Sequence, residues 1–303
     1  MRVYVWPESG KILRMEFPII GFIGQGFIGG AYADDIESRG FPVVRYALEE
    51  PYVRNKEQLL QCSIVFIAVP TPTTVHGFDY SIVRDVIGFT KPGAIVVIKS
   101  TIIPGTTESL QELFPDRIIL HSPEFLREAT AASDAAHPER TIIGIPRNTQ
   151  EYRDAAQQVL AILPKAPFEL VCSSREAEYI KYANNSFLFW KVLFANIFAN
   201  AVAQEGGDWD VVRSALGADS RIGPSHLAVD HTSNHSATKT GRGAGGLCFI
   251  KDFAAFVDHY EKIMPSDAAG IAVLRALESK NKELLIQSGK DLDLLKGVYG
   301  EIT

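Results

Sequence analysis

At 303 residues the chain is too long for one small core and suits two domains. It is 46% hydrophobic and 22% charged, ordinary for a soluble globular protein, and its net charge of −6, with no basic stripe, excludes a polyanion such as nucleic acid as partner. Three cysteines, Cys62, Cys172 and Cys248, lack the paired spacing of a disulfide framework or a zinc site.

Residues 2–15 hold two short β-like runs around Pro7 and Gly10, which predicts a hairpin (residues 1–17) ahead of the main fold. The start shows no basic, apolar leader, so a cytoplasmic protein is expected. Strand-like runs then recur at residues 19–23, 42–46, 64–69, 94–99, 117–121 and 141–145, alternating with helical segments. This pattern predicts an α/β fold, a Rossmann-like doubly wound parallel sheet occupying residues 1–172. Cys62 and Cys172 stand beside apolar strands and are expected to be buried or half-buried.

From residue 173 onward the character is helical, predicting an all-helical dimerisation and substrate domain over residues 173–303. Ser173 and Glu176 fit a capping box, and Gly206-Gly207 mark the stop of a long helix over residues 174–206. Its stretch 187–203 is apolar nearly all round, so burial on most faces is expected, against another subunit or domain. Lys191, Asn196 and Asn200 interrupt that stretch, which is read as falling short of a bilayer span. Weaker helices are expected at residues 208–216, 252–263 and 267–287, with a polar loop at 229–242. His226, His231 and His235 are read as part of a solvated loop, and no metal is expected.

Gly24-Gln25-Gly26-Phe27-Ile28-Gly29 follows the first strand and opens a helix, the arrangement that brings a dinucleotide pyrophosphate onto backbone amides. The carboxylate expected at the end of the second strand is absent: Tyr46 stands there, with Glu49 nearby. Arg45 is open to two readings, a solvated strand end or a contact for a 2′-phosphate. NAD is favoured, with NADP as the alternative.

Further polar groups recur where α/β ligands bind. Thr101 follows an apolar strand at the carboxyl edge of the sheet, and Glu124 and Glu128 flank Phe125-Leu126 after another. Lys181 and Asn185 are four apart on the long helix and share a face. Cys248 follows a glycine-rich turn, with Lys251 and Asp252 just beyond. A thiol at a helix N-terminus beside a lysine becomes nucleophilic.

The segments 69–73 (VPTPT), 99–101 (KST), 122–129 (SPEFLREA), 181–185 (KYANN), 219–223 (DSRIG) and 245–252 (GGLCFIKD) together resemble the UDP-glucose/GDP-mannose 6-dehydrogenase family. The resemblance covers roughly residues 18–287. It implies a cytoplasmic homodimeric oxidoreductase of polysaccharide biosynthesis that oxidises a nucleotide-sugar primary alcohol twice. Cys248 would capture the aldehyde as a thiohemiacetal and then form a thioester. Lys181 and Asn185 would stabilise the oxyanion, Asp252 and Thr101 would position or activate water, and Glu124 would act as acid/base. Glu128, Arg221, Gly245, Gly246 and Lys251 would bind substrate, Arg221 reaching into the partner subunit. Val69, Pro70, Thr71, Thr101 and Tyr46 would join the glycine loop around the cofactor.

Four departures from that pattern stand out. Only residues 48–61 separate the second and third strands, Tyr46 replaces the acid, and the 229–242 loop is long, with Ala244 in place of an aromatic. The chain stops at Thr303, after what resembles the linker helix, so half of the nucleotide site is expected to be missing. The competing readings are a dehydrogenase of a smaller alcohol and a catalytically idle binding subunit.

Overall fold

The computed structural model describes residues 17–233, 235 and 239–301. The hairpin expected at residues 1–17 lies almost wholly outside them. In chain order the elements are β1 (Ile20–Ile23), α1 (Phe27–Ser38), β2 (Val43–Tyr46), a 3-10 run (Tyr52–Gln61), β3 (Ile64–Ile67), β4 (Thr73–Thr74), β5 (Gly77–Phe78), α2 (Ser81–Ile87) and β6 (Ile95–Ile98). Then come α3 (Thr106–Leu113), β7 (Ile118–His121), α4 (Ala131–Ala136), β8 (Arg140–Ile145), α5 (Gln150–Ile162), β9 (Phe168–Ser173) and α6 (Ser174–Gln204). The chain continues through α7 (Trp209–Ala218), β10 (His231–Thr232), β11 (Thr240–Gly241), α8 (Gly246–Ile263), α9 (Ala268–Ser288) and α10 (Leu292–Tyr299).

The described residues divide into two compact units. Residues 17–71 with Tyr80–Lys181 supply the first, and Pro72–Asp79 with the described residues from Tyr182 to Glu301 the second.

The first unit is built on a seven-stranded sheet of order β2-β1-β3-β6-β7-β8-β9. Its central strands IGFI, IVFI and IVVI are buried at every position, as expected where helices cover both faces. The sheet is mixed rather than wholly parallel. β7 meets β8 antiparallel through His121 and Gly144, and β9 then pairs parallel with β8. Strand β9 escapes a reading by periodicity because Phe168 is exposed and its neighbours only half-buried, which leaves no buried stripe to detect. The core joins Phe22, Phe66 and Val97 of the strands to Tyr32 and Ile36 of α1 and Val159 of α5.

The second unit is mainly helical, with additions that the sequence did not announce. Two small antiparallel pairs, β4–β5 and β10–β11, belong to it, so it is not all-helical, and α10 follows α9. Helix α8 begins at Gly246, six residues before the expected start, because the glycines at its head hid the onset. Its core packs Phe189, Val192 and Leu193 of α6 against Phe253 and Val257 of α8 and Leu274 and Leu284 of α9. The Phe189 and Phe253 rings stack with centroids 4.0 Å apart.

Helix α6 runs from Ser174 to Gln204, close to the expected bounds. The capping box forms: the Ser173 amide and hydroxyl donate to Glu176, and the Glu176 amide donates to Ser173 Oγ. The single chain by itself buries only part of the helix. Phe187, Trp190, Phe194, Ile197 and Phe198 form an exposed apolar stripe at helical spacing. By length and composition alone α6 is long and apolar enough to cross a membrane, which corrects the narrower reading of residues 187–203. Its inner stripe packs in the second unit's core, and Asn196 there is fully buried, holding Arg242.

Candidate active site

The first unit carries the glycine loop. Gly24 has φ +92, and a Cβ there would meet the Ala68 carbonyl at 2.2 Å; a Cβ on Gly29 would meet the Gly24 carbonyl at 2.0 Å. These two glycines let strand, loop and helix close on one another. Gly26 is different: nothing lies within 4 Å of its would-be Cβ, and it caps α1 with no side chain on the helix amides. Gln25 donates to the Gly24 carbonyl, while its buried Oε1 has no partner. An open cradle at an uncapped helix N-terminus, with an orphaned acceptor beside it, fits a dinucleotide pyrophosphate and its hydroxyl-bearing riboses.

At the end of β2, Arg45 turns toward α1. Its guanidinium is held by Asp34 at 2.6 Å and Glu37 at 2.5 Å, both on α1, so it is already matched by two carboxylates. Tyr46 is buried, its ring edge-on to Phe89 at 5.9 Å.

Beyond the carboxyl ends of β6 and β7, still in the first unit, lies a buried polar cluster. Ser100 Oγ accepts from the Val69 amide and donates to its carbonyl, and Thr71 Oγ1 donates to the Thr101 carbonyl at 2.8 Å. Glu124, 3% exposed, accepts from Lys181 Nζ at 2.8 Å, and Nζ also donates to the Glu124 carbonyl at 2.7 Å. Removing one member of such a buried pair strands the other charge, at a cost of about 3–5 kcal/mol. Lys99, not singled out from sequence, joins this cluster. Its Nζ donates to the Ser122 carbonyl and hydroxyl and lies 4.1 Å over the Tyr32 ring. Burial pushes Lys99 down to about 7, with Glu124 opposing and Lys181 reinforcing the shift. Burial likewise holds His121 neutral, down to about 3. Glu178, also unforeseen, accepts from the Gly105 amide at 2.6 Å, the Thr107 amide at 2.8 Å and the Thr107 hydroxyl at 2.6 Å. It thereby caps α3.

The second unit carries the thiol. Cys248, half-buried, is the third residue of α8, whose cap is Gly245. Asp252, one turn on and 2% exposed, accepts from Asn185 Nδ2 at 2.7 Å and from Lys251 Nζ at 2.6 Å. Lys181 and Asn185 stand four residues apart on α6.

Other expected residues are not drawn into these clusters. Glu128 is exposed at the start of a 3-10 turn. Arg221 is exposed and chelated by Asp219, while Lys191 pins its loop through the Ile222 and Gly223 carbonyls. The histidines are not uniformly solvated. His226 and His231 are half-buried, burial pushing His231 down to about 4, and His235 pairs with Asp293. Among the described residues no three His, Cys, Asp or Glu side chains converge as metal ligands.

Two family models match the chain. Residues 52–163 match the NAD binding domain of the UDP-glucose/GDP-mannose dehydrogenase family, and residues 175–283 match its central domain. Among curated relatives, UDP-glucose 6-dehydrogenase of Pseudomonas aeruginosa is 34% identical over 250 residues, covering 77% of this chain and 52% of the relative. UDP-glucose 6-dehydrogenase AglM of Haloferax volcanii is 32% identical over 288 residues, covering 78% and 64%. The chain spans about half the length of most of the curated relatives it matches. Among solved structures, a UDP-glucose dehydrogenase from Pyrobaculum islandicum superposes with a TM-score of 0.75 at 27% identity, covering 90% of this chain and 70% of that one. A UDP-D-ManNAc dehydrogenase from Pyrococcus horikoshii, at 21% identity and a TM-score of 0.70, shares the fold.

Proposed function

Because the chain belongs, through its NAD-binding and central domains, to the UDP-glucose/GDP-mannose dehydrogenase family, we propose that it oxidises a nucleotide-sugar primary alcohol, of the UDP-glucose kind, to the uronic acid by two successive NAD-dependent steps. The observation that carries this reading is Cys248 in the first turn of α8, one turn before an Asp252 fixed by Asn185 and Lys251. A thiol so placed is activated by the helix N-terminus.

Gly24, Gly26 and Gly29 would hold the pyrophosphate, and two NAD molecules bound in turn would supply the hydride acceptors, one for each oxidation. In the first, the alcohol loses a hydride and its hydroxyl proton, and Glu124 takes the proton. The Cys248 Sγ then adds to the aldehyde carbon, and the proton ends on oxygen to give a thiohemiacetal. Lys181 and Asn185 stabilise the oxyanion that develops. Loss of a second hydride and of the hydroxyl proton leaves a thioester. Water positioned by Asp252 and Thr101 attacks it, the C–S bond breaks, and the acid leaves as the thiol regains its proton. Arg221, exposed on the loop held by Lys191, would serve the sugar site of a second copy of the chain.

One observation favours a smaller alcohol as substrate. The Gly246 amide, which a diphosphate could use, already donates to the Asp291 carboxylate. A screen of nucleotide sugars and small primary alcohols for NADH formation decides between the two. With a turned-over substrate, Cys248→Ser should bind NAD normally but form no acid, and the wild type should show a covalent adduct by intact mass. Unchanged turnover in the serine variant would sink the covalent mechanism.

A further inference from the structure

The turn at 241–246 that leads into Cys248 is gripped by side chains along its length, all within the second unit. Lys290, fully buried, donates Nζ to the carbonyls of Gly241 at 3.3 Å and Gly243 at 3.1 Å. Asn281 donates to the Ala244 carbonyl at 3.0 Å and accepts the Ala244 amide at 2.7 Å. Asp291, 3% exposed, accepts the Gly246 amide at 2.8 Å and the Ser233 hydroxyl at 2.6 Å. A Cβ on Gly245 would come within 2.2 Å of Asp291 Oδ2 and 2.9 Å of Lys290 Cε, so glycine there is what admits both side chains. Asp291 itself adopts φ 51, the left-handed region that aspartate tolerates better than most residues. Lys290 and Asp291 lie past residue 283, where the match to the central domain stops.

Gly246 is the first residue of α8 and Cys248 the third, so the Asp291 carboxylate sits on the helix start whose amides and dipole favour a thiolate. An anion bound there opposes a second one two residues along. We propose that Asp291 and Lys290 are positioning residues for the Cys248 thiol: together they fix its turn, and they act on its ionisation with opposite sign. Asp291 holds the thiol back toward its protonated form, and the Lys290 ammonium behind the same turn offsets it. Lys290 is itself pushed down to about 8 by burial, against the pull of Asp291 and Asp230. Other charged or titratable groups around this turn are Arg242 within it, held by Asn196 and Asn200, Asp230 and His231 on the side of Lys290, and Lys251 and Asp252 on α8.

This inference rests on the reading of Cys248 as nucleophile, but its test does not require a substrate. Full-length protein is treated with iodoacetamide at neutral pH, well below each variant's melting temperature, and alkylation of Cys248 is timed by peptide mass mapping. Asp291→Asn keeps an acceptor for the Gly246 amide and a donor for Ser233 but removes the charge; Cys248 should react about threefold faster. Lys290→Met should slow it about twofold. If Lys290→Met does not fold, Lys290→Gln retains a donor for the carbonyls and should shift the rate in the same direction. A merely structural role would loosen the turn in both variants and speed both. Two shifts of the same sign, or no shift in either, would overturn the proposal. Loss of the nucleophile reading would show separately, as turnover surviving in Cys248→Ser.

Discussion

Glu178 is pulled in two directions. Burial pushes its carboxyl up to about 7, while the three donors of Gly105 and Thr107 favour the anion. Its folded pKa lies above the ordinary carboxyl value, so the folded state binds the extra proton between about 4.5 and 7. The stability this group contributes is full below that window and is lost as pH rises through it, on the order of 3 kcal/mol at most. Glu178→Gln, whose amide stays neutral, should therefore lose less stability than the wild type as pH rises from 4.5 to 7. Melting curves at several pH values check this, and parallel curves would contradict it. At the other edge of the sheet, Arg45 is spent on Asp34 and Glu37, so little positive charge remains for a 2′-phosphate. Fluorescence titration should show tighter binding of NAD than of NADP. The residues that sequence reading caught, Glu124, Lys181, Cys248 and Asp252, sit in recurring motifs. Glu178 and Asp291 escaped because each acts on backbone 71 to 73 and 45 positions away, and no local pattern records such a contact.

At the scale of elements, helix α6 depends on its two ends and one inner stripe. Ser173→Ala removes the reciprocal cap and should cost about 1 kcal/mol. Phe189 is 1% exposed and stacked on Phe253, so Phe189→Ala should cost about 3–5 kcal/mol in urea unfolding. A loss below 1 kcal/mol would mean that the site collapses around the cavity. The strands of the first unit's sheet, β9 excepted, were legible because continuous apolar runs such as IVFI have one reading in an alternating α/β chain. The start of α8 was not, since glycines at 245 and 246 are as compatible with a loop as with a helix cap. The two-residue pairs β4–β5 and β10–β11 are too short to carry any period.

For the molecule as a whole, the exposed stripe on α6 is the feature most in need of a partner. Phe194 and Phe198, rings 4.4 Å apart, and Trp190 are each 40–48% exposed. A contiguous apolar surface of this kind usually marks an interaction site. A second copy of the chain seated there would also bring Arg221 to a neighbouring molecule. Light scattering should give a dimer or larger at micromolar concentration, and Phe194→Asp should shift it to monomer; a monomeric wild type would contradict this. Counting hydrides checks whether one chain carries an alcohol to a carboxylate through a thioester on Cys248. With a turned-over nucleotide sugar, NADH formed is measured against uronic acid produced in the same sample. The proposed mechanism predicts two NADH for every acid, with no aldehyde released. One NADH per sugar, with free aldehyde as product, would contradict it.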